Sequence, residues 1–441
     1  MSHRRPGLAL LLGAAMAVGA CGGPDLLTRA DYVPARKALA AADVERAGDD
    51  LPRGEAGGFI TTMERSYLDL LQGRPRIEPL AALAARVADE VRYEVTREAR
   101  SFFYLQTPDD YYPGEHEIVW MHLLLGWGYA QRGAHESACV EVRIADSLLD
   151  YERRPEGRFD DPMLRLMAAA LWAACGDWEE ARVDLRAAAR LDATLTWATT
   201  LAARETPPAE LVVVLGGTGP EPYWSPELSA SLLRAGRRVA FRYAGSKSAV
   251  ELRDQGDMPL GLWRSPDAAP WYDRHLQRNN AIHDLIQDSH FGKDVATEGV
   301  IASARIGGNT LLGLGWMIGG VAVGGGFIYL GAQAGSGDTM IGGLLVAGYG
   351  LRQGWKTMSE GARDSTRDFS ERVDPSARYR MVRFLPEYLW IGVRDTPLVP
   401  PLALRAGHAT HYPPGPRPFG KETRVRVLYL ADVPPEPRGY R

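Results

Sequence analysis

Four groups of side chains in this 441-residue sequence have types and spacings that could do chemistry. The first is Cys21, directly after Val18-Gly19-Ala20. A thiol placed there can take an acyl chain once the backbone is cut before it, and small residues let that backbone enter a peptidase. The second is the loop Gly216-Gly217-Thr218-Gly219-Pro220, which follows the apolar run 211–215. A glycine loop after a strand could cradle a phosphate or an oxyanion. The phosphate fingerprint needs a further glycine and a helix whose free N–H groups face the ligand. Pro220 and Pro222 remove two such donors, and no P-loop lysine follows. No serine stands between glycines as a nucleophile elbow requires. The loop therefore reads as a strand-ending turn. The third group is His275, His283 and His290, spaced by eight and seven residues among Asp273, Asp284 and Asp288. On one helix they lie about two turns apart, whereas a metal needs ligands converging within about 2 Å. They read as a solvated helix face. The fourth is Cys139 with Cys175. An oxidising compartment would let them pair, but small buried core thiols are the expectation. Three cysteines in all exclude a disulfide scaffold and a four-cysteine zinc site. No catalytic, cofactor-binding or metal residue emerges, and no cofactor is expected.

The elements around Cys21 explain its placement. Arg4 and Arg5 make a basic start, residues 8–18 are uncharged and apolar, and Gly19 and Ala20 are small. That is the layout of a secretory signal, too short to span about 30 Å of hydrocarbon as a helix. With Cys21 it resembles the lipobox of bacterial lipoproteins. The resemblance implies cleavage before Cys21 and fatty acylation, palmitate included, of its thiol and new amino terminus. More than one acyl chain is needed for stable anchoring. Gly22 in place of aspartate implies export to the outer membrane in a Gram-negative host. The expected place is thus the cell envelope, lipid-anchored and facing the periplasm.

Residues 21–206 read as helical. Leu80, Leu83, Val87, Val91 and Val95 recur at three- and four-residue steps, which puts them on one helix face. Further on, Leu125-Gly126, Tyr129, Gly133, Ala138 and Ala145 are followed in the same relative order by Trp172, Gly176, Ala181 and Ala188. Both segments resemble the tetratricopeptide (TPR) repeat, in which small residues let paired helices approach and aromatics fill the gaps. The run Gly176-Asp177-Trp178-Glu179-Glu180-Ala181 matches the repeat's turn and second-helix start well. The offset from Gly133 to Gly176 is 43 residues against a usual repeat of about 34. A polar insert at 151–159, with Pro155 and Gly157, accommodates the surplus. His122 stands where the repeat's tryptophan would come, with Trp120 close by.

Residues 207–298 turn to a mixed α/β pattern. Val239, Phe241 and Tyr243 alternate as in a half-exposed strand, and residues 226–235 between the strands look helical. Residues 299–355 are rich in glycine. Residues 306–337 carry no charge, and neither do residues 339–351. Gly315/Gly319, Gly320/Gly324 and Gly331/Gly335 have the small-xxx-small spacing that lets helix backbones touch. The expectation is a helical hairpin turning near Asp338. Its partner is left open between a bilayer or second copy on one side and the rest of the chain on the other. Trp316, Tyr329 and Trp355 suit an interface in the first case.

With 51 basic and 55 acidic residues the net charge is −4, so no global basic surface points to nucleic acid. Residues 356–441 form a small C-terminal region, with strands expected at 388–393 and 424–430 around a Pro-rich loop. Here Arg378-Tyr379, Phe384-Leu385-Pro386-Glu387 and Leu389-Trp390-Ile391 follow one another. With Tyr111-Tyr112, the Ala138–Ala145 stretch, the Gly-Pro loop and the Gly-rich segment, this order resembles a family of uncharacterised bacterial TPR-like envelope lipoproteins. The fold class expected is α+β, mainly α. The resemblance implies a lipid-anchored, non-enzymatic scaffold that binds envelope proteins through its helices and has no catalytic residues. The runner-up is a membrane-inserted pore or secretion component using the Gly-rich hairpin. An envelope hydrolase comes third, since no local signature joins a nucleophile to a base.

Overall fold

The computed structural model describes residues 27–53, 58–94, 111, 113–150, 160–225, 227–228, 231–232, 239–243, 252–254, 262–278, 349, 353, 376, 379–397, 404–406, 409–411 and 417–430. Cys21 and its signal, the insert 151–159, His283, His290 and residues 306–351 other than Tyr349 lie outside them.

The described chain is mainly helical with a small sheet. Among the described residues nine α-helices precede the strands: α1 (Val33–Ala40), α2 (Val44–Asp49), α3 (Phe59–Leu71), α4 (Ile77–Glu94), α5 (Glu115–Gln131), α6 (His135–Leu149), α7 (Pro162–Cys175), α8 (Trp178–Leu191) and α9 (Thr196–Ala202). Their ends follow from sequence. Asp161 caps α7 by accepting from the Met163 and Leu164 amides, with Pro162 in the first turn. Gly176 ends the same helix at φ +93°, a left-handed position that glycine adopts without a Cβ penalty. Asp177 then caps α8 through the Glu180 amide. Consecutive helices from α5 to α9 pack side by side, and α5 also meets α7. Gly126 makes that last approach close, since a Cβ there would stand 2.6 Å from Leu171 Cδ2.

The inner and outer helices differ in burial. Every residue of α7 from Met163 to Cys175 is buried. By contrast α6 buries only Ala138, Val142, Ala145 and Leu149, one stripe at helical spacing. Cys139 and Cys175 form a disulfide joining α6 to the end of α7, with Cα atoms 5.8 Å apart. This corrects the expectation of two separate core thiols. The helix stack puts Cys139, the fifth residue of α6, beside the last residue of α7, within ordinary disulfide reach.

The sheet has the order β5 (Leu262–Arg264), β6 (Tyr388–Arg394), β1 (Glu210–Gly216) and β9 (Arg424–Leu430). β1 is antiparallel to β6, with Val213 opposite Ile391, and parallel to β9, with Val213 opposite Val427. Strands from 207–298 and from 356–441 thus build one sheet. Leu211, Val213, Leu215, Leu389, Ile391, Val425, Val427 and Tyr429 join the helices in one hydrophobic core. Two smaller sheets pair β2 (Glu221–Tyr223) with β3 (Ala240–Arg242), and β4 (Leu252–Asp254) with β7 (Leu404–Ala406) and β8 (Ala409–His411). The expected alternation at 239–243 corresponds to β3.

Helix α10 (Ala269–Arg278) carries His275. The expectation of a solvated histidine face is corrected there, because His275 is buried. Its ring stacks on His116 at 6.2 Å and meets Trp271 edge-on at 4.6 Å. α10 presses this side against α5, so the histidine faces the core.

Candidate functional site

Two constellations of buried polar groups and one exposed face are the places where this molecule could act. The first constellation forms where the C-terminal segment enters the core. Between residues 379 and 387 the chain is buried, with Val382, Phe384 and Leu385 at most 1% exposed. A buried stretch outside a helix or sheet has backbone groups that need partners. Glu117 of α5 accepts from the Val382 amide at 2.8 Å, and also from the Tyr111 hydroxyl and the Gly114 amide at 2.8 Å each. Glu64 of α3 accepts from the Arg383 amide at 3.0 Å. Glu387 accepts from the Gly219 amide at 2.9 Å, while its own amide donates to the Gly216 carbonyl at 2.9 Å.

The glycine loop is thereby explained. A Cβ at Gly219, whose φ is +81°, would stand 1.8 Å from the Arg383 carbonyl oxygen. The loop ends β1 and locks against the C-terminal segment, in keeping with the strand-ending turn. Arg36 of α1 completes the lock by donating to Thr218 Oγ1 at 2.9 Å. Arg383 covers the Tyr32 ring at 4.6 Å and donates to the Tyr379 carbonyl. Burial dominates the protonation of this cluster. It pushes the Glu64 carboxyl up to about 8 against the Arg383 amide and guanidinium, which lower it. It pushes Glu117 up to about 7 in spite of three hydrogen bonds.

The second constellation surrounds Arg165 of α7, which is buried. Its guanidinium meets Asp160 at 2.6 Å, Asp184 of α8 at 2.8 Å, Asp150 at 3.0 Å and Asp146 of α6 at 3.6 Å. Trp172 Nε1 donates to Asp146 at 2.7 Å. Burial first and then the Asp146 charge hold Asp184 well above the ordinary carboxylate range. Burial pushes Asp146 up to about 6. The Asp146 charge thus adds to the burial that favours the protonated form of Asp184. One cation therefore ties three helices together.

In the two clusters Glu64, Glu117, Glu387 and Asp184 are buried, whereas Asp150 is exposed. Among the described residues no group of three His, Cys, Asp or Glu could hold a metal ion, and no helix is long and apolar enough to cross a membrane. The inner helices α5 and α7 are covered by the chain's own sheet, α10 and C-terminal segment. Among the described residues, large apolar side chains are exposed on the outer helices and at Val33, Trp263 and Tyr349. Val140 and Ile144, one turn apart on α6, are 51% and 36% exposed, and Val183 of α8 is 44% exposed.

Sequence reading missed both clusters. A signal existed for Glu64, which shares helical spacing with Ile60 and Leu68 on a core-facing stripe. An acid on such a stripe is buried and therefore partnered. Nothing local in the sequence names its partner, 319 residues away. No family model, curated protein or solved structure matches this chain.

Proposed function

We propose that this protein is a lipid-anchored envelope scaffold that binds other envelope proteins through the outer faces of TPR-like helix pairs, and that it is not an enzyme. The observation that carries the reading is the division of the helix stack. Its inner helices are buried under the rest of the chain, while α6 and α8 keep an open face bearing Val140, Ile144 and Val183. In a TPR array the concave inner face takes the ligand; here that face is occupied, so the partner surface moves outward. The buried acids support a non-catalytic role, because they are committed to backbone amides or to Arg165. The Cys139–Cys175 disulfide suits an oxidising compartment, as the lipobox-like signal ending at Cys21 requires.

Two measurements test this. Cys21→Ala should abolish incorporation of labelled palmitate and release the chain from the outer-membrane fraction. A photo-crosslinking residue at Val140 or Val183 in intact cells should give discrete adducts with envelope proteins, lost on Ile144→Asp. Labelled Cys21→Ala protein, or adducts confined to a second copy of the chain, would overturn the reading.

A further inference from the structure

The helix pairs α5–α6 and α7–α8 repeat with an offset of 43 residues, and the repeat extends to their outer surface. Gly133 and Gly176 stand before the second helix of each pair in left-handed conformations, at φ +76° and +93°. Ala138 and Ala145 of α6 correspond to Ala181 and Ala188 of α8, and all four are 0% exposed. The same offset carries Val140 to Val183 and Arg143 to Arg186. Close helix packing explains the alanines. It does not explain the valines and arginines. Val140 and Val183 are 51% and 44% exposed, and both arginines are exposed. Valine is a poorer helix former than alanine, so its recurrence at an open position does nothing for the helix itself. Among the described residues neither Arg143 nor Arg186 forms an ion pair, whereas Arg182 is tied to Glu179 at 2.7 Å. Arg143 instead lies over the Trp172 ring at 5.6 Å.

We propose that this repeated valine–arginine pair binds an acidic amphipathic helix of a partner protein, laid across α6 and α8. The proposal rests on the reading that these two helices are the partner face, and it names the partner's chemistry. Charge complementarity selects that chemistry. Arg190, one turn beyond Arg186, is also exposed and forms no ion pair among the described residues. The exposed acids Glu136 and Glu180 lie on the other side of the valines, toward the N-terminal ends of their helices. The C-terminal halves of α6 and α8 are thus apolar and positive together. A second copy of the chain would bring the same three guanidiniums, whereas a carboxylate pairs with each of them bidentately. Spacing adds to this. Asp146 of α6 and Asp184 of α8 reach the same Nη1 of Arg165, at 3.6 and 2.8 Å, so the two helices are neighbours. Neighbouring helix axes stand about 10 Å apart. Residues seven apart on a helix share a face and are separated by about 10.5 Å. A partner helix with aliphatic residues at that spacing sets one on Val140 and Ile144 and the other on Val183. A carboxylate one turn after each then reaches Arg143 and Arg186.

The test uses the full chain in intact cells. Benzoyl-phenylalanine is placed at Val140 and at Val183, one position at a time, and the linked peptides are sequenced by mass spectrometry. Both positions should link to one segment of one envelope protein, in which Asp and Glu outnumber Lys and Arg. Adduct yield should fall at least about tenfold when Arg143→Glu and Arg186→Glu are combined, and return when the partner's linked acids are changed to lysine. Arg143→Gln with Arg186→Gln, which removes the charges without reversing them, should give an intermediate yield. A linked segment without an acidic excess, a yield unchanged in both double variants, or no rescue would overturn the acidic partner and leave the scaffold reading standing. Adducts confined to a second copy, or no protein adduct at either position, would overturn both. Phosphatidylglycerol vesicles probe the other anionic surface within reach. Purified Cys21→Ala chain should bind them no better than phosphatidylcholine vesicles. Binding that is lost on Arg143→Glu with Arg186→Glu would reassign the face to lipid and overturn the proposal.

Discussion

In the helix stack, four aspartates from α6, α8 and the connections beside α7 converge on one guanidinium, Arg165. At the C-terminal junction, three glutamates instead receive backbone amides, those of Val382, Arg383 and Gly219. The first cluster joins helices that are already neighbours in sequence, and a disulfide reinforces it. The second joins segments 168 to 319 residues apart. A side chain can bridge neighbouring helices in several geometries, whereas a carboxylate under a buried backbone accepts only one path for the chain. The helix stack is therefore the tolerant region and the junction the unforgiving one. The junction specifies where the C-terminal segment lies, which in turn covers the inner helices and leaves α6 and α8 as the open face.

The sharpest way to break this comparison is Gly219→Ala. The added Cβ meets backbone on a residue whose φ is +81°, so neither a rotamer change nor a small shift relieves it. A loss of about 4 kcal/mol or more is expected, at the upper end for single substitutions. Urea denaturation of the purified chain measures it, and a loss under about 1 kcal/mol would refute the interlocked loop. Next in size is Arg165→Met, which leaves four aspartates without their cation. Breaking a buried pair by removing one partner costs about 3–5 kcal/mol. If both clusters were merely decorative, the two variants would unfold together with the parent.

The third prediction separates Glu64 from Asp146 by pH. A carboxyl whose folded pKa lies above its unfolded value binds its proton more tightly when folded. Its contribution is therefore most favourable at low pH and is lost as pH rises. For Asp146 this loss runs from 3.8 to about 6, for Glu117 from 4.5 to about 7, and for Glu64 from 4.5 to about 8. Stability above pH 6 should thus fall through Glu64 and Glu117, with Asp161 and Asp184 also contributing because burial raises them, rather than through Asp146. Glu64→Gln keeps an acceptor for the Arg383 amide and removes the titration. It should flatten the decline between pH 6 and 8, whereas Asp146→Asn should leave that interval sloping. Equal slopes in both variants, followed by chemical denaturation, would sink the assignment.

Legibility in the sequence followed the same divide. The helix pairs were readable because their signals are local: Gly133 and Gly176 end helices, Asp177 caps one, and Ala138, Ala145, Ala181 and Ala188 mark the close stripes. The strands at 210–216, 388–394 and 424–430 were readable from short apolar runs. Their order was not, because nothing in β1 states that its parallel partner lies more than 200 residues on. Cys139 and Cys175 needed the packing of α6 on α7 before pairing could be seen. His275 looked exposed because its helix is rich in polar residues, and only the packing of α10 on α5 turns that face inward. The junction glutamates were the least legible, since each is an ordinary acid until its distant amide arrives.

The smallest expected effect sharpens the comparison from the other side. Gly133 ends α5 at φ +76°, nearly the same φ as Gly219, but a Cβ placed there has nothing within 4 Å. Only the intrinsic preference of an L-residue against the left-handed region opposes Gly133→Ala, about 1–2 kcal/mol. The alanine also restricts the unfolded chain, which returns about 0.4–1 kcal/mol. The net loss should be about 1 kcal/mol or less, and Gly133→Asn should recover part of it because asparagine tolerates this conformation. Since the two glycines share their φ, the difference between Gly133→Ala and Gly219→Ala isolates the steric contact with the Arg383 carbonyl. Matched urea curves for the pair measure that difference directly. A Gly133→Ala loss as large as that of Gly219→Ala would mean that backbone conformation alone governs both turns. The junction would then be no less tolerant than the helix stack.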